Sequence, residues 1–414
     1  MKPKKFSSSL VLILIILSVF SLDVSRRYLS GEFEGEKFEL EVLYSSEKAG
    51  WLESVVGEFE NYWSTNNQGK DIKVIMTPIG SGKGTFQVAT AARKPAVWSP
   101  ASRFWISILN RLWETNNENQ IADPNSRSLV VSPSIIATWE SYLKTNNISG
   151  FNDLRDLANT DPEFTFAHTD PFESNSGFGA VIMETAVAAS KNPEDLTLDD
   201  LADENVQNWM RDLEGAAIQY GSSTGFLGKL MASEGPSKLK AAIIYENLVI
   251  EKNKELTDDK LVAIYPEEGT LLNDHPYAIL DAPWVSDLDK VLAQDFLDFL
   301  LLENTQIEAI EEGFRPAIDI DSSNQEFLDT FTAENGVREN LTGITIYSIS
   351  NIDSKVLERI PDLWSATRSR SLGDDSSAQP ELRPSDFIIP SIIGIIILLL
   401  VLEPAIRKIK RYLR

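Results

Sequence analysis

Asp170-Pro-Phe-Glu-Ser-Asn-Ser-Gly177 is the stretch whose residue types and spacing point most directly to chemistry. It links an apolar run at 164–168, read as a short strand, to a long apolar helix from about Phe178. Ser174, Asn175, Ser176 and Gly177 therefore sit where the first N–H groups of a helix lack partners inside it. Small hydroxyl and amide side chains there cap the helix. Equally, the free N–H groups and the positive end of the dipole grip an anionic or polar ligand. The residues alone leave both readings open.

Ile79-Gly-Ser-Gly-Lys-Gly-Thr85 has the glycine density of a phosphate-cradling loop and also lies between a strand and a helix. The P-loop pattern needs Gly five positions before Gly82, where Thr77 stands, and no Mg²⁺-binding Asp strand is evident. Phosphoryl transfer, with Lys83 on the phosphates, is thus the weakest of the readings carried forward. His168 and His275 are the only histidines and there is no cysteine. That removes disulfides, thiolate metal sites and a Cys nucleophile, and leaves little for a Ser/His/Asp arrangement. No catalytic residue, cofactor or metal is expected.

The chain has 414 residues, 43% of them hydrophobic and 24% charged, enough for two units with substantial cores. Its net charge of −24 repels phosphate backbones, so nucleic acid is not an expected partner. Strand-like alternation at 38–44 and 71–78 is followed each time by helical spacing, with Trp51, Leu52, Val55, Val56 and Phe59 on the first helix. Alternation of this kind implies a parallel sheet covered on both faces. Further along, Ser99-Pro100 reads as a helix start, 127–132 as a strand and 137–157 as two short helices around Ser149-Gly150. The acidic run 192–205 reads as a loop, 218–225 as strand to loop, and 261–265 and 276–280 as strands. One long amphipathic helix is expected over 286–312, stopped by Gly313.

Two apolar segments bracket the chain. Residues 10–20 follow Lys2, Lys4 and Lys5, which suits a signal peptide or a membrane anchor over 1–26. Residues 387–402 are almost wholly apolar and a basic tail follows at 404–414, the pattern of a transmembrane helix over 387–403 with its tail in the cytoplasm. The Ser/Asp/Pro-rich run 367–386 reads as a stalk. Everything between would lie outside the cell membrane, where Asn147 and Asn340 head Asn-x-Ser/Thr tripeptides.

Four stretches together resemble an extracellular solute-binding protein of the type II periplasmic-binding-protein fold, in particular the solute-binding domains associated with von Willebrand factor A proteins. They are Val97-Trp-Ser-Pro-Ala-Ser102; Thr169 to Gly177; Val262 to Thr270 with His275-Pro-Tyr277 and Asp281-Ala-Pro-Trp284; and Phe296 to Leu300 leading to Gln306 and Gly313-Phe-Arg-Pro-Ala317. The resemblance implies an α/β fold of two lobes joined by hinge strands: lobe one over 38–131 and 262–366, and lobe two over 132–261. It also implies that the loops after the early strands face the cleft. These carry Ser45 and Ser46; Gly80, Ser81 and Gly82; Ser174, Asn175 and Ser176; and Ser222, with Tyr265 at a later strand end. Hydroxyls and helix starts of that kind would hold an oxyanion or another polar solute without a neutralising cation. Asp170, Glu173, Glu267 and Glu268 lie beside them, so ligand charge stays open. Arg315 reads as a structural tether. The function implied is non-enzymatic capture of a small molecule for an ABC-type permease or for sensing. The alternative is an envelope scaffold that has lost ligand binding.

Overall fold

The computed structural model describes residues 38–371 apart from 68, 69, 116 and 322. The expected N-terminal segment (1–26), transmembrane helix (387–403) and basic tail (404–414) lie outside the described residues. Among the described residues no helix is long and apolar enough to cross a membrane. The helix Ser354–Ser371 carries the chain through 367–371, the expected start of the stalk.

Four strands come first: β1 (Phe38–Ser45), β2 (Ile72–Ile79), β3 (Val97–Ser99) and β4 (Arg127–Ser128). The ten-residue β5 (Val130–Trp139) then opens a second sheet, joined by β6 (Phe166–Thr169), β7 (Ala217–Gly221), β8 (Ala241–Tyr245), β9 (Leu261–Ile264) and β10 (Thr270–Asn273). The chain returns to the first sheet with β11 (Pro276–Ile279), and β12 (Arg315–Pro316) and β13 (Ile346–Tyr347) are short additions to the second. The first sheet runs β2-β1-β3-β11-β4 and the second β13-β10-β5-β8-β6-β7, with β9 and β12 also on β5.

β1 pairs in parallel with β2 and β3. Its residues alternate at the edge and are then continuously buried, as a strand covered on both faces must be. The helices Ala49–Asn66 and Asp287–Leu300 close one core around it, where Phe59 packs on Phe296 and Phe299 with centroids 4.7 and 5.4 Å apart. In the second sheet β8 is buried throughout and pairs antiparallel with β5.

The crossing between the two sheets is narrow. The chain passes from Ser128 to Val130, back from Asn273 to Pro276, and over again from Phe314 to Arg315, with Leu129 N–H donating to His275 O at 3.0 Å. His275 has φ +35°, uncommon for a residue with a Cβ, and its N–H donates to Ala101 O at 3.1 Å.

The lobe boundaries shift accordingly. β9 and β10 pair with β5, and Val356, Leu357, Ile360 and Trp364 pack into the core around Phe166 and Phe178. The second part of the first lobe is therefore 276–314 rather than 262–366, and 262–273 and 315–366 go with the second sheet. Other expectations also move. Ser99 ends β3, and the helix expected there starts only at Phe104. Residues 130–139 are one strand, so the first short helix starts at Glu140. The acidic run 192–205 is largely helical, because Thr197 and Asp200 close a capping box. The helix over 286–312 is two, broken at Leu301-Leu302.

Candidate functional site

The hydroxyl-bearing helix starts do not cap themselves. Ser174 and Ser223 are the N-cap residues of Asn175–Ala188 and Thr224–Glu234, and neither side chain accepts from its own helix. Thr197 and Ser286, by contrast, form complete capping boxes. Freed from that task, the hydroxyls bond one another: Thr224 Oγ1 donates to Ser176 Oγ at 2.9 Å, Ser176 Oγ lies 2.8 Å from Thr169 Oγ1, and Ser174 Oγ lies 3.2 Å from Thr224 Oγ1.

The first-sheet turns meet these from the other side. Ser46 Oγ donates to Ser223 Oγ at 2.8 Å and accepts from Gly225 N–H at 3.1 Å. Ser81 Oγ accepts from Ala101 N–H at 3.1 Å, within its own lobe. Gly80 and Gly82 press on the opposite backbone: a Cβ on Gly80 would lie 2.4 Å from Glu173 O and 2.5 Å from Ser222 O, and one on Gly82 2.2 Å from Phe172 O. At the rim, Lys83 N–H donates to Glu173 O at 3.1 Å and Lys83 Nζ lies 3.7 Å from Glu173 Oε2. Lys83 thus faces a carboxylate, a poor arrangement for cradling phosphate. Ser45, Ser46, Ser81, Ser174, Asn175 and Ser176 are all buried, whereas Ser222 is exposed.

The floor of this seam is ionic, which the sequence reading missed. Lys48 is fully buried, with its Nζ donating to Ser45 Oγ, to Ser99 O at 3.1 Å and to Pro100 O at 3.4 Å. Ser45 Oγ in turn donates to Glu47, and His275 Nδ1 lies 3.2 Å from Glu47 Oε1 and 3.4 Å from Lys48 Nζ. Burial pushes the Glu47 carboxyl up, but Lys48 first, then His275 and Ser45, outweigh it and hold it down at about 2. Burial lowers Lys48 to about 8 against the pull of Glu47. Burial and then Lys48 lower His275. Beside them Asn175 accepts from Trp105 Nε1 at 2.8 Å and donates to Tyr245 Oη at 2.8 Å and Asn273 Oδ1 at 2.6 Å. The available signal was the charged pair Glu47-Lys48 directly after two serines, at a turn between buried elements.

The depressed Glu47 pKa fixes a sign. A carboxyl lowered in the folded state contributes stability that is present above 4.5 and lost as pH falls through about 2. Between pH 5 and pH 3 that loss amounts to about 2 kcal/mol. Glu47→Gln is expected to be less stable at pH 7 and flatter by that amount across the interval. Urea unfolding at both pH values reads this directly; parallel profiles for the two chains would contradict it.

Tyr265 lies away from the seam. Its hydroxyl donates to Glu246 and accepts from Arg338 N–H at 3.2 Å, and Glu246 takes a two-pronged contact from Arg315 at 2.8 and 2.9 Å. A cavity of about 430 Å³ opens there, lined by Ser149, Tyr265, Glu267, Arg338 and Thr345. Another, of about 460 Å³, lies by Asn152, Lys191 and Glu268. What the seam offers chemically is a set of hydroxyls, amides and one buried Lys–Glu pair, groups that bind.

Residues 40–315 match the family of bacterial extracellular solute-binding proteins. No curated protein matches the chain in sequence. Among solved structures, a periplasmic thiamin binding protein superposes with a TM-score of 0.58 at 13% identity, over 81% of this chain and 98% of its own. Maltose-bound MalE3 of T. maritima gives 0.55 at 11% identity over 81% and 95%. The periplasmic binding protein AfuA of Actinobacillus pleuropneumoniae, with fructose-6-phosphate bound, gives 0.50 at 14% identity over 82% and 99%. At such identities the likeness speaks for the fold, and the three bind a vitamin, a neutral sugar and a sugar phosphate. By its sequence match and its type II fold, the chain belongs to the bacterial extracellular solute-binding proteins, a family of non-enzymatic binding proteins.

Proposed function

We propose that this chain is a membrane-anchored, extracytoplasmic receptor that captures a polar small molecule between its two lobes and presents it to an ABC-type permease or a sensor. The observation that carries the reading is the meeting of Ser46 with Ser223 and of Gly80 with Glu173 and Ser222. Turns from the two sheets converge there: the Ser46 hydroxyl bonds Ser223 and Gly225 of the opposite lobe, and those of Thr169, Ser174, Ser176 and Thr224 bond one another. Opening exchanges those hydroxyl pairs for contacts to a solute, and a solute that bonds both lobes shifts the open–closed equilibrium towards closure. Hydroxyls donate and accept, so oxyanions and polyols both fit. The apolar segments with basic flanks support anchoring at one or both ends.

A second reading, a scaffold that exchanges no solute, is favoured by one feature. Lys48, His275 and Asn175, all buried, pack the floor of the seam with the protein's own bonds.

Thermal-shift screening of the purified chain separates the two. The receptor reading expects at least one solute among oxyanions, amino acids, amines and sugars to raise Tm; at a concentration a hundred times its Kd it stabilises by about 2.7 kcal/mol. No response to any class would support the scaffold.

A further inference from the structure

Behind the seam, in the core of the second sheet, three side chains that the sequence keeps far apart come together. His168 stands on β6, Glu184 on the helix Asn175–Ala188 and Glu214 at the end of Glu204–Glu214. One donor atom from each lies within 4.8 Å of the other two, and all three residues are buried.

Their partners define what is left over. His168 Nδ1 is 2.6 Å from Thr169 O, a carbonyl that only accepts, so Nδ1 carries a proton and Nε2 faces Glu214 Oε1 at 2.9 Å. Glu214 Oε2 accepts from Tyr220 Oη at 2.6 Å. Both oxygens of Glu184 are buried with no hydrogen-bond partner among the described residues. An orphaned carboxyl deep in a core is costly. A proton alone does not remedy this in full: the hydroxyl so formed has Glu214 as its acceptor, a carboxylate that already faces His168 Nε2 and accepts from Tyr220 Oη, and the second oxygen of Glu184 stays without a partner. A divalent cation does: two carboxylates cancel its charge, and the neutral imidazole supplies a third ligand. The Nδ1–H to carbonyl bond is the usual outer-shell support of a metal-bound imidazole.

We propose that His168 Nε2, Glu184 and Glu214 hold a structural divalent transition-metal ion in the second lobe. A nitrogen with two carboxylates suits Zn²⁺ or Mn²⁺ better than Ca²⁺ or Mg²⁺, which prefer oxygen alone. The ion ties β6 to the helix whose first turn bears Ser174, Asn175 and Ser176. Thr169, which bonds Ser176, directly follows a metal ligand. The ion therefore fixes the position of that helix start at the seam.

The test uses the untagged full chain, unfolded in chelator, refolded with Zn²⁺ or Mn²⁺ and freed of loose ions. Elemental analysis is expected to find about one ion per wild-type chain, with a higher Tm than the chain refolded in chelator. Glu184→Gln, nearly the same shape, is expected to retain less than a tenth as much and to show no metal-dependent Tm. The wild-type measurement stands even if that variant folds poorly. Wild-type chain that retains neither ion, or a folded Glu184→Gln that retains as much as wild type, overturns the proposal.

Discussion

Gly80→Val together with Gly82→Val is expected to hold the two lobes apart while leaving each of them folded. Gly80 has φ −67° and ψ 143°, a conformation any residue adopts, and Gly82 lies in the helix Ser81–Ala89. Within the first lobe, then, the substitutions strain nothing in the backbone, and at Gly82 they replace a poor helix former. The cost falls across the seam. The added Cβ atoms would sit 2.2–2.5 Å from carbonyl oxygens of Phe172, Glu173 and Ser222, main-chain atoms that cannot swing aside as a long side chain does. If the closed state drops to about one part in a hundred, the affinity for any solute that stabilises the wild type falls about a hundredfold, since apparent affinity scales with the competent fraction. Small-angle scattering should show a larger radius of gyration than wild type, with a circular dichroism spectrum unchanged. An unaltered radius and undiminished binding would mean that these contacts do not govern closure.

The second large effect concerns Arg315, whose guanidinium holds the second lobe's Glu246. It meets the carboxylate with two N–H groups at 2.8 and 2.9 Å, donates to Arg338 O at 2.9 Å and Glu339 O at 3.1 Å, and lies 4.2 Å above the Phe331 ring. Glu246 itself is 0% exposed. Arg315→Met leaves that anion buried with Tyr265 as its remaining side-chain donor, and removing one partner of such a pair costs about 3–5 kcal/mol. The double change Arg315→Met with Glu246→Leu removes both charges and is expected to recover most of the loss, because the pair repays its own desolvation poorly. Urea unfolding of the three chains decides it: a double variant less stable than Arg315→Met would show that the ion pair is favourable in itself. The tether reading of Arg315 from the sequence agrees with these contacts.

Much of the first lobe was legible because its elements are amphipathic and short-range. The alternation of β1 and β2, and the apolar stripe from Trp51 to Phe59, are local patterns with one physical reading. The second lobe was harder. β8, Ala241-Ala-Ile-Ile-Tyr245, is buried on both faces and carries no alternation. The end of β5 is hidden because its last residues, through Trp139, run into a helix with no break in polarity. The sheet to which residues 262–264 belong is hidden for a related reason: a strand's period says which face is buried but not which sheet it joins, and β9 joins β5. At the site, the small residues at helix starts were visible, and the structure brings Ser46, Gly80, Gly82, Ser174, Asn175 and Ser176 to one seam. Lys48 with His275, and His168 with Glu184 and Glu214, were not visible. Each group draws on segments separated by long stretches of chain, so no local spacing announces them.

A cysteine-free chain permits one clean mechanical test of where a solute sits. Lys83→Cys with Glu173→Cys places a single thiol pair across the rim, where the Lys83 N–H and Glu173 O are 3.1 Å apart and the two side chains meet with Nζ 3.7 Å from Oε2. With a radiolabelled solute identified by thermal shift, label loaded before oxidation should stay bound through dialysis and be released by reductant. Label added after oxidation should not enter. Free exchange in the oxidised chain would place the solute outside the seam and contradict the account.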